Sequence, residues 1–259
     1  MRTFDNIHEA YLAVLKEVRD EPEYTVAPRG IPVREITDFC FRIRNPKSEP
    51  IITRDADRNK TIVKYTIDEC KLYDSCSNDV EDFAKASKFW RKIANPDGTV
   101  NSAYGYLIWK NQSFGSKYET ESIHLDSYNG SKNVTIEEPI MRTPWEWAKQ
   151  SLIKDKDTRQ AFLKFSLPEH QWMGNKDQTC TMHANFLIRD NKLNLTVVMR
   201  SNDVVLGLCY DMPWFISLME RMVAELKDTY PELSVGSYTH LAHSFHLYER
   251  LSLIHISEP

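Results

Sequence analysis

The sequence is poor in the features that mark most specialised classes of chain. No run of 18 apolar residues occurs in its 259 positions, so no segment has the length that a helix needs to span a bilayer. The opening stretch, MRTFDNIHEAYLAVLKEV, carries acids within an amphipathic period and has no uninterrupted apolar centre, which argues against a secretory leader. An excess of positive charge is missing too. With 33 Lys and Arg against 37 Asp and Glu the formal charge is -4, whereas sequence-independent binding to nucleic acid draws its affinity from clustered cations. The five cysteines, at 40, 70, 76, 180 and 209, include no C-x-x-C pair and are odd in number. Reduced thiols fit that pattern better than a disulfide framework. Repeats and low-complexity tracts are absent as well, and the expectation is a soluble cytoplasmic protein.

What is present fits one folded domain of α/β or α+β class: 41% of residues are hydrophobic and 27% charged. IHEAYLAVLKEV has helical spacing, and IPVREITDFCFRIRNP alternates as a strand. TIVKYTIDECKLYD and DVEDFAKASKFWRKI read as helices, and NPDGTVNSAYGYLIW as a turn before a buried aromatic segment. Residues 111–140 are polar and read as a variable insert. TPWEWAKQSLIKD is a helix with a Thr cap and Pro in its first turn. RQAFLKFSL, CTMHANFLIRD and KLNLTVVMRS are strands, the last two joined through RDNK as a hairpin. MPWFISLMERMVAELKDTY is the longest apolar helix, and VGSYTHLAHSFHLYER a final strand pair or loop.

Between the third of those strands and the long helix lies VVMRSNDVVLGLCYDM, residues 197 to 212. It contains Arg200-Ser201-x-Asp203, then Leu206-Gly207, then Asp211; Cys180 stands twenty residues before Arg200, and His246-x-Tyr248 follows the helix. In this order the motifs resemble the thymidylate synthase superfamily over about residues 24 to 250, and MRSNDVV with CT looks closest to its phage deoxycytidylate hydroxymethylases. The resemblance implies an α/β (α+β) sandwich around a large mixed sheet, a catalytic domain over 1–250, and a homodimer in the cytoplasm, the host's if the gene is a phage's. It implies a pyrimidine nucleoside monophosphate as substrate and 5,10-methylenetetrahydrofolate as co-substrate, with no metal, nucleic acid or membrane. The implied reaction converts dCMP to 5-hydroxymethyl-dCMP: a thiolate adds to C6, C5 takes the folate methylene, and water completes the product. A thymidylate synthase, a dUMP or CMP hydroxymethylase, and a non-catalytic nucleotide binder stay open.

Residue by residue, Cys180 matches the nucleophile, a role that needs a thiol pKa pulled down, and Arg200 would supply the charge that does so. A lone Cys is otherwise a small buried hydrophobe. Arg200 and Ser201 match a phosphate-binding pair, Arg29 in APRGIP a phosphate arginine on a loop, and Arg159 an arginine that reaches the partner subunit's phosphate. Gln160 stands where the family has a second arginine. Asp211 replaces the Asn of the synthases: a carboxylate accepts from the exocyclic amine of cytosine and from a protonated N3, but meets O4 of uracil acceptor to acceptor. Its plainer reading is a cap ahead of MPWF. Glu69 matches the glutamate that organises water and protonation near base and folate, and Tyr104 a tyrosine implicated in C5 proton removal. Trp90 lines the folate side or is core, Asp203 resembles a residue that touches the pterin or caps a helix, and His246 with Tyr248 match the ribose-hydroxyl pair, which does not separate dCMP from CMP. His240, His243 and His246 recur every three residues, a spacing that does not converge on a metal in an extended chain. LSLIHISEP, from about residue 251, does not resemble the family's closing segment and reads as a non-native tail.

Overall fold

The computed structural model describes residues 1–53, 55–112, 116–125 and 134–252. In chain order its elements are β1 (Arg2–Phe4), α1 (Ile7–Asp20), β2 (Tyr24–Val26), β3 (Val33–Ile43), α2 (Ala56–Asp74), α3 (Val80–Ala86), α4 (Trp90–Ile93), α5 (Tyr104–Trp109), β4 (Ser116–Leu125) and β5 (Val134–Ile140). Then come α6 (Pro144–Lys154), β6 (Phe162–Lys164), β7 (Thr181–Arg189), β8 (Lys192–Met199), β9 (Asn202–Asp203), α7 (Cys209–Leu226), β10 (Ser234–Tyr248) and α8 (Glu249–Ser252).

The sheet runs β1-β3-β10-β8-β7-β6, with β2 added to β3 and β9 to β10. β10 is antiparallel to β3 and parallel to β8, while β7 and β8 are an antiparallel hairpin, so the sheet is mixed, as expected. The RDNK turn closes that hairpin with Asp190 and Asn191 both at positive φ, 51° and 55°. A two-residue turn whose twist matches the strands needs this geometry, and Asp and Asn tolerate it best after Gly. Alternation along β8 sends Leu193, Leu195, Val197 and Met199 into the core and leaves Asn194, Thr196 and Val198 half-buried on the opposite face. On the core face α1 and α7 lie against β3, β8 and β10. α1 contributes Ile7, Ala10, Tyr11, Val14, Leu15 and Val18 and starts at Asn6, whose side chain accepts from the Glu9 amide. α6 opens with the expected cap, made reciprocal by Glu146.

Two expectations change. The last segment is neither a strand pair nor a loop but one 15-residue strand at the sheet's centre. The long helix begins at Cys209, after a π-helical turn at Val204–Leu208, so Asp211 lies inside its first turn rather than at its cap. Of the expected insert, β4 and β5 pair as a separate two-stranded ribbon, and 113–115 and 126–133 fall outside the described residues. The tail reading at 253–259 also falls outside them, and Leu251 and Ser252 finish α8. No helix among the described residues is long and apolar enough to cross a membrane.

Candidate active site

Strand direction gathers the motifs. β8 and β10 run parallel, so their carboxyl ends, carrying Arg200-Ser201 and His246-x-Tyr248, meet at one edge of the sheet, the usual place for a ligand crevice. β7 runs opposite to β8, with Thr181 facing Met199, and this puts Cys180 at the same edge. β3 pairs Val33 with Tyr248, so the turn that bears Arg29 arrives there too. Arg29 is exposed, in a left-handed conformation (φ 54°) that is costly for a residue with a Cβ.

Arg200 is tied to the nucleophile's own loop. Its Nε donates to the Thr179 carbonyl at 3.0 Å, one terminal nitrogen donates to the Gln178 carbonyl at 2.7 Å, and the same nitrogen lies 3.7 Å from the Cys180 sulfur. The guanidinium is therefore rigid before any phosphate arrives, with an exposed face left for one. The expected low thiol pKa is corrected: burial pushes the Cys180 thiol above the ordinary range, and Arg200 recovers only part of that. Tyr104, from α5, accepts a hydrogen bond on its hydroxyl from the Thr181 amide at 3.2 Å. Burial, then the nearby thiol charge, holds it well above the usual phenol range, so it enters chemistry as a phenol.

Deeper in, two buried acids lie within electrostatic reach of each other. Asp211 accepts from the Asn202 side-chain amide at 2.6 Å. Burial raises its pKa to about 7, against the lowering effect of that hydrogen bond. Glu69, from α2, accepts from the Tyr73 hydroxyl at 3.3 Å, and burial, then the Asp211 charge, lifts it to about 8. Two carboxyls that take up protons near neutrality in one cleft are a signature of acid-base work.

At the ends of β8 and β10, Ser201 Oγ and His246 Nδ1 are 3.5 Å apart, and the His246 and Tyr248 rings meet edge to face at 5.3 Å. Asp203 does cap the π-helical turn, accepting from the Val205 amide at 2.8 Å and from the Leu206 amide. Its other oxygen faces His246 Nε2 at 3.9 Å. Trp90 is half-buried against Phe83, and Leu206, within the capped turn, is 45% exposed. Arg159 is not brought into this cluster: it is exposed between α6 and β6, and the Gln160 carbonyl beside it accepts from the Trp147 indole at 3.1 Å. The three histidines go to three places. His240 stacks on Phe41 at 5.5 Å, His243 meets Asp38 at 2.6 Å, and only His246 reaches the site.

Three contributors escaped the sequence reading. Asn202, the variable letter of Arg-Ser-x-Asp, holds Asp211. Gly207 makes room for that pair: a Cβ there would lie 3.0 Å from the Asn202 nitrogen and 3.2 Å from the Asp211 oxygen. Asp177, in a stretch that reads as plain loop, is buried and accepts from the Ser102 amide at 2.9 Å, joining the approach to Cys180 to the approach to Tyr104. The Gly of Leu-Gly was the one signal available, since a conserved-looking motif Gly often marks a close approach.

The family model described as Thymidylate synthase matches residues 9–255. The deoxycytidylate 5-hydroxymethyltransferase of Enterobacteria phage T4 is 27% identical over 194 residues, which cover 72% of this chain and 68% of that one. The deoxyuridylate hydroxymethyltransferase of Bacillus phage SP01 is 24% identical over 258 residues, 93% of this chain and 56% of that one. The thymidylate synthase of Clostridium beijerinckii is 21% identical over 242 residues, 93% of this chain and 77% of that one. Among solved structures, thermostable thymidylate synthase A from Bacillus subtilis aligns with a TM-score of 0.63 at 19% identity, over 94% of this chain and 80% of that one, a likeness of fold.

Proposed function

The chain belongs to the thymidylate synthase family, and from that premise we propose that it is a pyrimidine nucleotide C5 hydroxymethyltransferase that converts dCMP to 5-hydroxymethyl-dCMP. The observation that carries this reading is the buried carboxyl of Asp211, within electrostatic reach of Glu69, Cys180 and Tyr104. As a carboxylate it accepts from the exocyclic amine and protonated N3 of cytosine, and it leaves O4 of uracil facing an acceptor.

Around that choice the other residues take simple parts. Arg200 and Ser201 receive the phosphate, with Arg29 above them. His246 and Tyr248 receive the sugar hydroxyl. Cys180 is the nucleophile for C6, and since its thiol is protonated in the free site, the proton has to leave as the ring is attacked. Glu69, with a pKa near 8, holds a proton at neutral pH and can deliver or recover it near the ring. For 5,10-methylenetetrahydrofolate, the half-buried Trp90 and the exposed Leu206 are the apolar side chains offered to a flat pterin, with Asp203 capping the turn that bears Leu206. When bound, that co-substrate supplies the one-carbon unit.

The functional unit in this reading is a homodimer. The half-buried sheet face with Leu187, Val198 and Leu241, set among Asn185, Asn194 and Thr196, is the partner surface in this reading, and Arg159 then serves the partner's phosphate. The catalytic domain in this reading is residues 1–250, while the family match runs to residue 255 and Leu251 packs against the core, so the foreign segment would begin beyond Leu251. A second reading, dUMP as substrate, draws on the same residue: with a pKa near 7, Asp211 is protonated about half the time at neutral pH, and a carboxylic acid donates as an amide does. The test is direct competition of dCMP and dUMP for methylenetetrahydrofolate, with product identified by mass and near-ultraviolet absorbance followed. The expected product is hydroxymethyl-dCMP with no absorbance rise; a rise from dihydrofolate would mean hydride transfer and a synthase.

A further inference from the structure

The base-recognising carboxyl does not stand alone. Asn202 leaves β8 behind and is clamped by β9, where it pairs with Phe245 of β10 and is buried. Its side-chain nitrogen donates to Asp211 Oδ2 at 2.6 Å. Its side-chain oxygen is sealed from solvent and has no hydrogen-bond partner. An Asn kept only to knit the fold would satisfy both ends, since a buried orphan acceptor costs stability. Gly207 adds a second observation, because a Cβ at that position would press on both members of the pair at once. One side of the carboxyl is thus occupied by a donor in a fixed direction, and its other oxygen stays free.

We infer that Asn202 is a specificity-positioning residue: its amide occupies one oxygen of Asp211 and favours the carboxylate form, whose free oxygen accepts from the cytosine amine. This rests on the dCMP reading above and deepens it. The groups that face Asp211 all work against ionisation or are neutral. Glu69 and Tyr73 come from α2, Tyr104 from α5, Cys180 from the head of β7, Asp203 from β9, Tyr238 from β10 and Cys209 from its own helix. Against burial and the Asp203 charge, the Asn202 amide is what favours the carboxylate. Without it Asp211 would be a neutral acid at pH 7, able to donate to O4, and selection against uracil would relax.

The experiment measures kcat/KM for dCMP and dUMP with methylenetetrahydrofolate from pH 5.5 to 9 in the full chain and in Asn202→Ala and Asn202→Ser. The acid limb of kcat/KM reports the free enzyme's ionisation. In Asn202→Ala that limb should move to higher pH, and the dCMP:dUMP ratio at pH 7 should fall about tenfold, one hydrogen bond to a charged group. Asn202→Ser, which keeps a shorter donor, should fall between and stands in if the Ala variant does not fold. In an Asp211→Asn background, Asn202→Ala should leave the ratio unchanged, because no carboxylate remains to be held. If wild type prefers dCMP yet Asn202→Ala and Asn202→Ser keep both ratio and acid limb, the inference is overturned while the dCMP reading stands. If wild type shows no dCMP preference, the dCMP reading itself fails and the inference with it.

Discussion

At the scale of single residues the site trades stability for chemistry, and the trade has a sign that can be checked. Asp211 has an ordinary pKa of 3.8 and a folded value of about 7. Its folded value lies above its unfolded one, so the fold is favoured while the group is protonated, and that advantage is lost as pH rises from about 4 through 7. Asp211→Asn removes the charge and should raise the melting temperature at pH 8, by on the order of 1–3 kcal/mol of stability, while moving preference from dCMP towards dUMP. Thermal unfolding of both proteins at pH 5.5 and 8 decides it: an equal gap at the two pH values would mean that Asp211 is not ionising in the fold. Cys180→Ser has the opposite profile. Ser is nearly the same size and shape as Cys, so turnover should fall by about three orders of magnitude or more with nucleotide affinity and melting temperature nearly unchanged. Calorimetric titration with dCMP that showed affinity lost in step with turnover would instead make Cys180 a binding residue.

At the scale of elements, positions of chemistry were easier to read than the elements that carry them. Cys180, Arg200, Ser201, His246 and Tyr248 converge as the motif order implied, because four strand ends share one edge of the sheet. What local pattern could not give was continuity: in β10, Gly236, three histidines and mixed burial blur the alternation of a strand that is covered by β3 on one side and β8 on the other. The start of α7 was misjudged for a related reason, since a π-helical turn has no sequence period of its own. Nor could a single sequence reveal that Asp177 closes onto Ser102, a contact made only by tertiary folding. Among the described glycines the tightest approach lies where α5 meets α2: a Cβ on Gly105 would stand 1.8 Å from the Tyr73 carbonyl oxygen. Tyr104 stacks on Tyr73 across this contact at 5.4 Å. Gly105→Ala should therefore cost about 3 kcal/mol and lower kcat by displacing the Tyr104 hydroxyl. Urea denaturation with parallel kinetics tests this, and wild-type values in both would show that the helices separate at no cost.

At the scale of the whole molecule, the dimer reading makes Arg159 and Cys180 members of different subunits' tasks. Arg159→Ala and Cys180→Ser proteins should each be feeble alone, and mixed after unfolding and refolding together they should regain up to about a quarter of wild-type activity, the share expected when one of the two sites in a mixed dimer is intact and half the dimers are mixed. No recovery, with mixed dimers verified by mass spectrometry, would place Arg159 outside the shared site. The central position of β10 carries a further consequence, for the time course of folding. The strand that joins the two halves of the sheet follows every other strand in the sequence, and pairs Tyr238 with Ile43 on one side and Leu195 on the other. Until it arrives, β3 and β8 present open edges to other chains. Such long-range pairing predicts refolding over milliseconds to seconds or slower rather than microseconds, with losses to aggregation that grow with protein concentration. Stopped-flow fluorescence from the tryptophans would expose the error if a single sub-millisecond phase carried the whole change. A nascent chain that has not yet reached Ser234 therefore already carries Cys180 and Arg200 but not His246 and Tyr248, so the proposed site and the sheet are completed by the same strand.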